Sequence, residues 1–164
     1  GEFSFIDDLP NPKLPEDLSF LSSQNWTYSC SNEEYGEGID VIFDESSTRG
    51  WQPTRHSKFY TYEMVVDMQE IQTVNGILVT QKLSVTSAYE PCIAKKIQIK
   101  VSVDNKTWKD ATYVIENTLG NTVGESTIIT LPVSLHGRYL KFIVSDQAYN
   151  KTFYTVSLGK IRIF

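Results

Sequence analysis

The sequence predicts an all-β fold, a β-sandwich or jelly roll, and three observations carry that prediction. Short runs rich in Val, Ile, Thr and Tyr recur from Trp26 to the last residue. Turn-forming pairs separate them, and the clearest run alternates apolar with polar residues in the period of a half-buried strand. No segment makes a convincing helix.

The clearest run is 97–103, where Ile97, Ile99, Val101 and Val103 alternate with Gln98, Lys100 and Ser102. Asp104-Asn105 supplies a turn that tolerates left-handed backbone, and Trp108 folds back towards the core. The other expected strands are 62–68, 76–80 (after the connector Glu70-Ile71-Gln72), 111–115, 126–131, 138–144 and 157–164. Turns are expected at Asn75-Gly76, Asp104-Asn105, Leu119-Gly120-Asn121 and His136-Gly137. Residues 1–22 form a separate segment. Gly1-Glu2-Phe3 reads as a tag remnant of a fragment cut from a longer protein, and Pro10, Pro12 and Pro15 mark a linker or a strap around the domain.

A chain of 164 residues can bury one full-sized core, and 40% hydrophobic with 21% charged residues is ordinary for a folded domain. The net charge of -5 argues against a broad surface for nucleic acid or anionic lipid. No apolar run approaches the roughly 20 residues that cross a bilayer. Aromatics reach 12%, which fits either a sandwich core or an aromatic binding surface. Cys30 and Cys92 lack metal-binding spacing, and both a disulfide and two buried thiols stay open. Asn25, Asn105 and Asn150 each begin a glycosylation triplet, which carries no meaning in a bacterial host.

Catalytic signatures are missing. The two histidines, His56 and His136, lie far apart, and no HExxH, GxSxG, P-loop or CxxC occurs. His136, before Gly137, reads as an exposed structural residue. Glu33, Glu34, Glu37, Asp40, Asp44 and Glu45 cluster in sequence. Two carboxylates suffice for glycoside hydrolysis, but a solvated acidic loop is the reading adopted, and no enzyme is expected.

Five motifs then line up in order. Phe43-Asp44-Glu45-Ser46-Ser47-Thr48-Arg49-Gly50-Trp51 resembles the D-G-N-x-x-T-x-W loop of the F5/8 type C (discoidin) family. Met64-Val65-Val66-Asp67-Met68 is similar to its hydrophobic-hydrophobic-D-L-G strand. Val101-Ser102-Val103-Asp104-Asn105-Lys106-Thr107-Trp108 is similar to its S-x-D-G-x-x-W hairpin. Gly137-Arg138-Tyr139-Leu140-Lys141-Phe142 resembles its late G-R-Y strand, and Val156 to Phe164 its closing strand. The resemblance spans residues 23–164 and implies a galactose-binding-like jelly roll. It also places Trp26, Trp51 and Trp108 at core positions.

Members of this family include the bacterial family 32 carbohydrate-binding modules, whose ligands sit in loops at one end. The resemblance therefore points to three loops: one after Trp51 with Arg55 and His56, one with Tyr89, and one with Asn150 and Phe153. A flat aromatic that stacks on a pyranose and polar groups that fork to hydroxyls are what a sugar site needs. Many members also hold a structural calcium. Here Asp44 and Thr48 offer oxygen, but Glu45-Ser46 replaces Gly-Asn and Lys160 stands where a glutamate is usual. An ammonium excludes a divalent cation from the same place. No cofactor is therefore expected, with a Lys160–Asp44 ion pair in the metal's stead and calcium at Asp44 and Thr48 as the weaker alternative. Cys30 and Cys92 do not match the bridge of the animal members, so binding to membranes is not expected.

The expected function is a non-catalytic carbohydrate-binding module of an exported bacterial surface protein, Bacteroides-like in type, with a glycan and the parent protein's other domains as partners. A protein- or matrix-adhesion module and a structural spacer are the alternatives.

Overall fold

The computed structural model describes residues 18–31, 38–47, 50–51, 53, 61–82, 93–145 and 156–164. Its elements are strand β1 (Thr27–Cys30), a one-turn helix α1 (Asp40–Phe43), and strands β2 (Tyr62–Thr80), β3 (Lys96–Ser102), β4 (Lys109–Asp110), β5 (Asn117–Thr118), β6 (Ser126–Ser145) and β7 (Lys160–Ile163). All strand pairs are antiparallel. The all-β jelly roll expected from the sequence is the fold.

Two long strands build both layers. β2 and β6 stay paired from Tyr62↔Val144 to Thr80↔Ser126, interrupted by register shifts at Asp67/Gln72 and Val74/Gly76. The first half of β2 and the second half of β6 make one layer, in which β1 pairs with 64–67 of β2 and β3 pairs with 139–145 of β6. β4 and β5 then extend the outer edge of β3. In the second layer β7 pairs with 77–80 of β2. One pair of strands can serve two layers because bulges bend and twist a ladder without ending it.

Composition explains the layers. Over 62–68 every second side chain of β2 is buried, the mark of a strand with one wet face. Over 76–79 all four are buried. The core joins Met64, Val66, Ile77, Ile97, Ile99, Leu140, Phe142 and Ile161 with Trp26 and Trp51. Phe43 of α1 stacks on Tyr28 at 4.9 Å and meets Phe142 at 6.1 Å, so the short helix plugs the core beside β1.

The structure corrects the sequence reading at five places. Asn75-Gly76 is no turn but a bulge inside β2. Gly76 is needed there for room: a Cβ would lie 2.3 Å from Phe164 Cζ and 2.6 Å from the Ile129 carbonyl oxygen. His136-Gly137 likewise lies within β6, where a Gly137 Cβ would meet Val101 Cγ1 at 2.3 Å. Residues 111–115 form no strand; they leave the sheet between β4 and β5. A one-turn helix, α1, forms where no helix was expected. Trp108 is half-buried instead of sitting in the core, with the Lys141 ammonium 4.2 Å from its ring centroid.

Ahead of β1, the strap runs along β7. The Leu21 amide donates to the Ile163 carbonyl at 2.8 Å, and Phe20 meets Phe164 edge-on at 6.2 Å. Arg162 lies 3.8 Å over the Phe20 ring. No helix among the described residues is long and apolar enough to cross a membrane.

Candidate functional site

The two ends of the sandwich differ in construction. At the end where β2 and β6 bend, Gln69 takes a left-handed φ of 71°, a strained choice for a residue with a side chain. The Asp67 carboxylate stabilises it by accepting the Gln69 amide at 2.8 Å. Arg138 grips the same carboxylate twice, Nε to Oδ1 at 2.8 Å and Nη2 to Oδ2 at 3.0 Å. The Arg138 hydrogen bonds are the main reason the Asp67 carboxyl is held below its usual range. These residues belong to the Met64–Met68 and Gly137–Phe142 motifs, so two of the family tags clasp each other.

The Ser102–Trp108 turn sits at the same end. Ser102 Oγ accepts the Asn105 amide at 2.9 Å, and Asp104 Oδ1 accepts the amides of Lys106 and Thr107, both at 2.9 Å. Asn105 has φ 61°. Those amides, Thr107 first, hold the Asp104 carboxyl below its usual range. A cleft of about 430 Å³ lies against this turn, lined by Val101, Val103, Asp104, Leu135 and His136 among others. Its polar groups are largely engaged within the hairpin or, for exposed His136 Nδ1, with Thr73 Oγ1 at 3.1 Å. His136 is thus an exposed, structurally paired residue.

The opposite end is a ring of strand ends. β2 starts there at Tyr62, against Val144 of β6. β6 ends there at Ser145, against Lys96, where β3 begins. Trp51 and Leu158 exchange two backbone hydrogen bonds of 2.8 and 3.1 Å, and the fully buried Trp51 ring meets Tyr62 edge-on at 5.8 Å. Buried Gln81 ties the two layers: its Nε2 donates to the carbonyls of Ala94 at 2.7 Å and Gly120 at 2.8 Å. Gly159 donates to the Thr80 carbonyl at 2.8 Å. Among the described residues, Trp51 Nε1 and Gln81 Oε1 are buried polar atoms with no partner.

This ring contains the flanks of three loops. Trp51 and Thr61 bracket the first, Lys82 and Ile93 the second, Ser145 and Val156 the third. Arg55, His56, Tyr89, Asn150 and Phe153 lie in these loops, outside the described residues. The fold therefore brings the bases of their loops to one rim. Gln81 was not singled out from the sequence; a lone glutamine at the end of an apolar run was the available signal.

The Asp44 loop borders the same rim. Asp44 Oδ1 accepts the Ser46 amide at 2.9 Å and the Ser46 hydroxyl at 2.7 Å. The Lys160 ammonium donates to the Glu45 carbonyl at 2.9 Å, one residue beyond the carboxylate expected for it. Arg162 Nη2 reaches Glu45 Oε1 at 3.2 Å. Thr48, the other oxygen considered for calcium, lies outside the described residues, as does Cys92, so the question of a bridge to Cys30 rests there. With an ammonium on the Glu45 carbonyl and a guanidinium on its carboxylate, the described residues of this loop do not fit a divalent cation. Nearby, burial first and then the Asp40 charge push the Tyr28 phenol up to about 12, so it stays protonated at neutral pH.

The model of the F5/8 type C domain matches residues 23–157. The chain belongs to that family. Solved structures agree in fold. A family 32 carbohydrate-binding module from Clostridium perfringens, in complex with galactose, matches with a TM-score of 0.70 at 14% identity, over 88% of this chain and 96% of that one. The C-terminal domain of a chitobiase from Bacteroides fragilis matches with a TM-score of 0.67 at 18% identity, over 89% and 97%. Chitosan-binding module 1 of a chitosanase/glucanase from Paenibacillus sp. IK-5 matches with a TM-score of 0.61 at 20% identity, over 85% and 95%. No curated protein matches the sequence. This F5/8 type C domain thus has the jelly roll of family 32 modules.

Proposed function

We propose that this domain is a non-catalytic glycan-binding module of an exported bacterial surface protein of Bacteroides type, and that glycan is held by the three loops at the Trp51–Gln81 rim. The observation that carries the reading is the convergence of the three loop bases on one end of a rigid sandwich. Loops on a fixed scaffold are where recognition is built, and Arg55, His56, Tyr89, Asn150 and Phe153 supply the aromatic faces and polar forks that sugars need.

Two further points support it. The solved relatives include modules named for galactose and chitosan complexes or binding. Four of the described carboxylates act as structural acceptors: Asp67 for Arg138, Asp104 for its own turn, Asp44 for Ser46, Glu45 for Arg162. A carboxylate engaged this way is a poor general acid or nucleophile.

A glycan array on the isolated domain, followed by calorimetry on the best hits, is the test. Weak but saturable binding to a defined sugar is expected, because a small polar ligand buries little apolar area and must shed water from its hydroxyls. Absence of binding to any glycan at millimolar concentration would overturn the reading in favour of an adhesion or spacer domain.

A further inference from the structure

Tyr113, Val114 and Ile115 are 86%, 58% and 65% exposed, three consecutive large apolar side chains facing water. Leaving such side chains in solvent forgoes the stabilisation that burying them would give. Yet the segment is held by its own polar residues. Thr112 Oγ1 donates to the Val114 carbonyl at 2.6 Å. Asn117 Nδ2 donates to Thr112 Oγ1 at 3.1 Å and to the Ile97 carbonyl at 3.4 Å. The Ala111 amide bonds the Ile99 carbonyl at 3.0 Å. Glu116 Oε2 accepts the Ser145 hydroxyl at 2.5 Å. The apolar ridge is thus presented on a fixed backbone, and its ordering cost is already met in the free protein.

Its position gives it a use. Ser145 is the last residue of β6 and the base of the loop that carries Asn150 and Phe153. The ridge lies beside β3 between the levels of Ile97 and Ile99, roughly 3–10 Å below the rim at ~3.3 Å per residue. We propose that Tyr113 is a second stacking platform, taking a further pyranose unit of an oligosaccharide whose first unit occupies the loop rim; this rests on the glycan-binding reading above. The phenol ring offers a flat face to the C–H side of a sugar, and the Glu116 carboxylate, three residues on, has acceptor capacity beyond its bond from Ser145 for a sugar hydroxyl. A protein partner fits less well: three side chains fall well short of the ~800 Å² that a stable interface buries on each side, whereas one sugar ring covers one tyrosine face.

Calorimetry with galactose and N-acetylglucosamine, and with N-acetylgalactosamine-β-1,3-galactose and chitotetraose, on wild type, Tyr113→Ala and Tyr113→Phe tests it. Thermal melting of each variant confirms that it folds. The expected result is an oligosaccharide that binds more tightly than its monosaccharide, with Tyr113→Ala removing about three- to tenfold of that affinity. Monosaccharide affinity should stay unchanged, and Tyr113→Phe should retain the gain. Oligosaccharide affinity untouched by Tyr113→Ala would overturn the platform and leave the loop-rim reading standing. If wild type binds no sugar on the array, both fall. Self-association that Tyr113→Ala abolishes, seen by analytical ultracentrifugation, would overturn the platform in favour of a protein contact.

Discussion

The bend end and the loop end of this sandwich divide its work. At the bend, Asp67, Arg138, Ser102 and Asp104 satisfy one another and the backbone, and three of the five family motifs meet there. At the loop end the scaffold is equally well tied, through Gln81, Trp51 and Leu158, and its ties hold the bases of the three loops proposed to take the ligand. Those three motifs therefore report on how the sheet folds over. The residues proposed to choose a ligand belong to loops based at the other end.

Substitutions should separate the two ends. The largest effect is expected for Trp51→Ala, which empties a fully buried indole site beneath the rim. Loss of about 3–5 kcal/mol in urea unfolding is expected, with sugar binding lost as well; retained binding at full stability would contradict the rim as the site. Arg138→Ala, at the other end, should lower stability by much less, because the bidentate pair that is removed is partly exposed and screened by solvent. Sugar affinity should not change. The Asp67 carboxyl has a lowered pKa in the folded state, so its contribution is present above the unfolded value near 4 and fades as pH falls through the lower folded value. The acid limb of a stability–pH curve should accordingly be shallower in Arg138→Ala than in wild type.

Smaller effects sharpen the contrast. Tyr89→Ala and Phe153→Ala should each weaken sugar binding about three- to tenfold while leaving stability within about 0.5 kcal/mol. Clear binding that neither change weakens would mean that other loops hold the ligand. The smallest effect is expected from a chelator. With Lys160 on the Glu45 carbonyl, the melting temperature should not move when divalent cations are removed. A large drop would show a metal that contributes to the fold.

The fold class was legible because burial on one sheet face leaves an alternation that any reader can count, as at Ile97, Ile99 and Val101. Its continuity was not. Asn75-Gly76 has the composition of a hairpin turn, but Gly76 is there so that Phe164 can lie against the backbone, a contact between residues far apart in sequence. Tyr113-Val114-Ile115 matches a strand in composition and fails in geometry. Strand preference describes a half-buried surface, and β4 and β5 leave no partner layer over that segment. Trp108 was placed in the core because tryptophan is usually buried, whereas here Lys141 covers one face. The candidate site was legible only as loops in order along the chain. That their bases meet depends on β2 and β6 both turning back, which no local pattern records.

The meeting of the strap with β7 has a consequence for how the domain would be held. Leu21 and Phe20 lie against Ile163 and Phe164, and the Phe164 carbonyl is bonded to Asn75 and Gly76, on the bend-ward side of the second layer. The described segment before β1 and the end of β7 therefore lie together, on the side away from the loop rim. Polypeptide attached at either point would grasp the module by its foot, leaving the rim outermost on its tether and free to swivel.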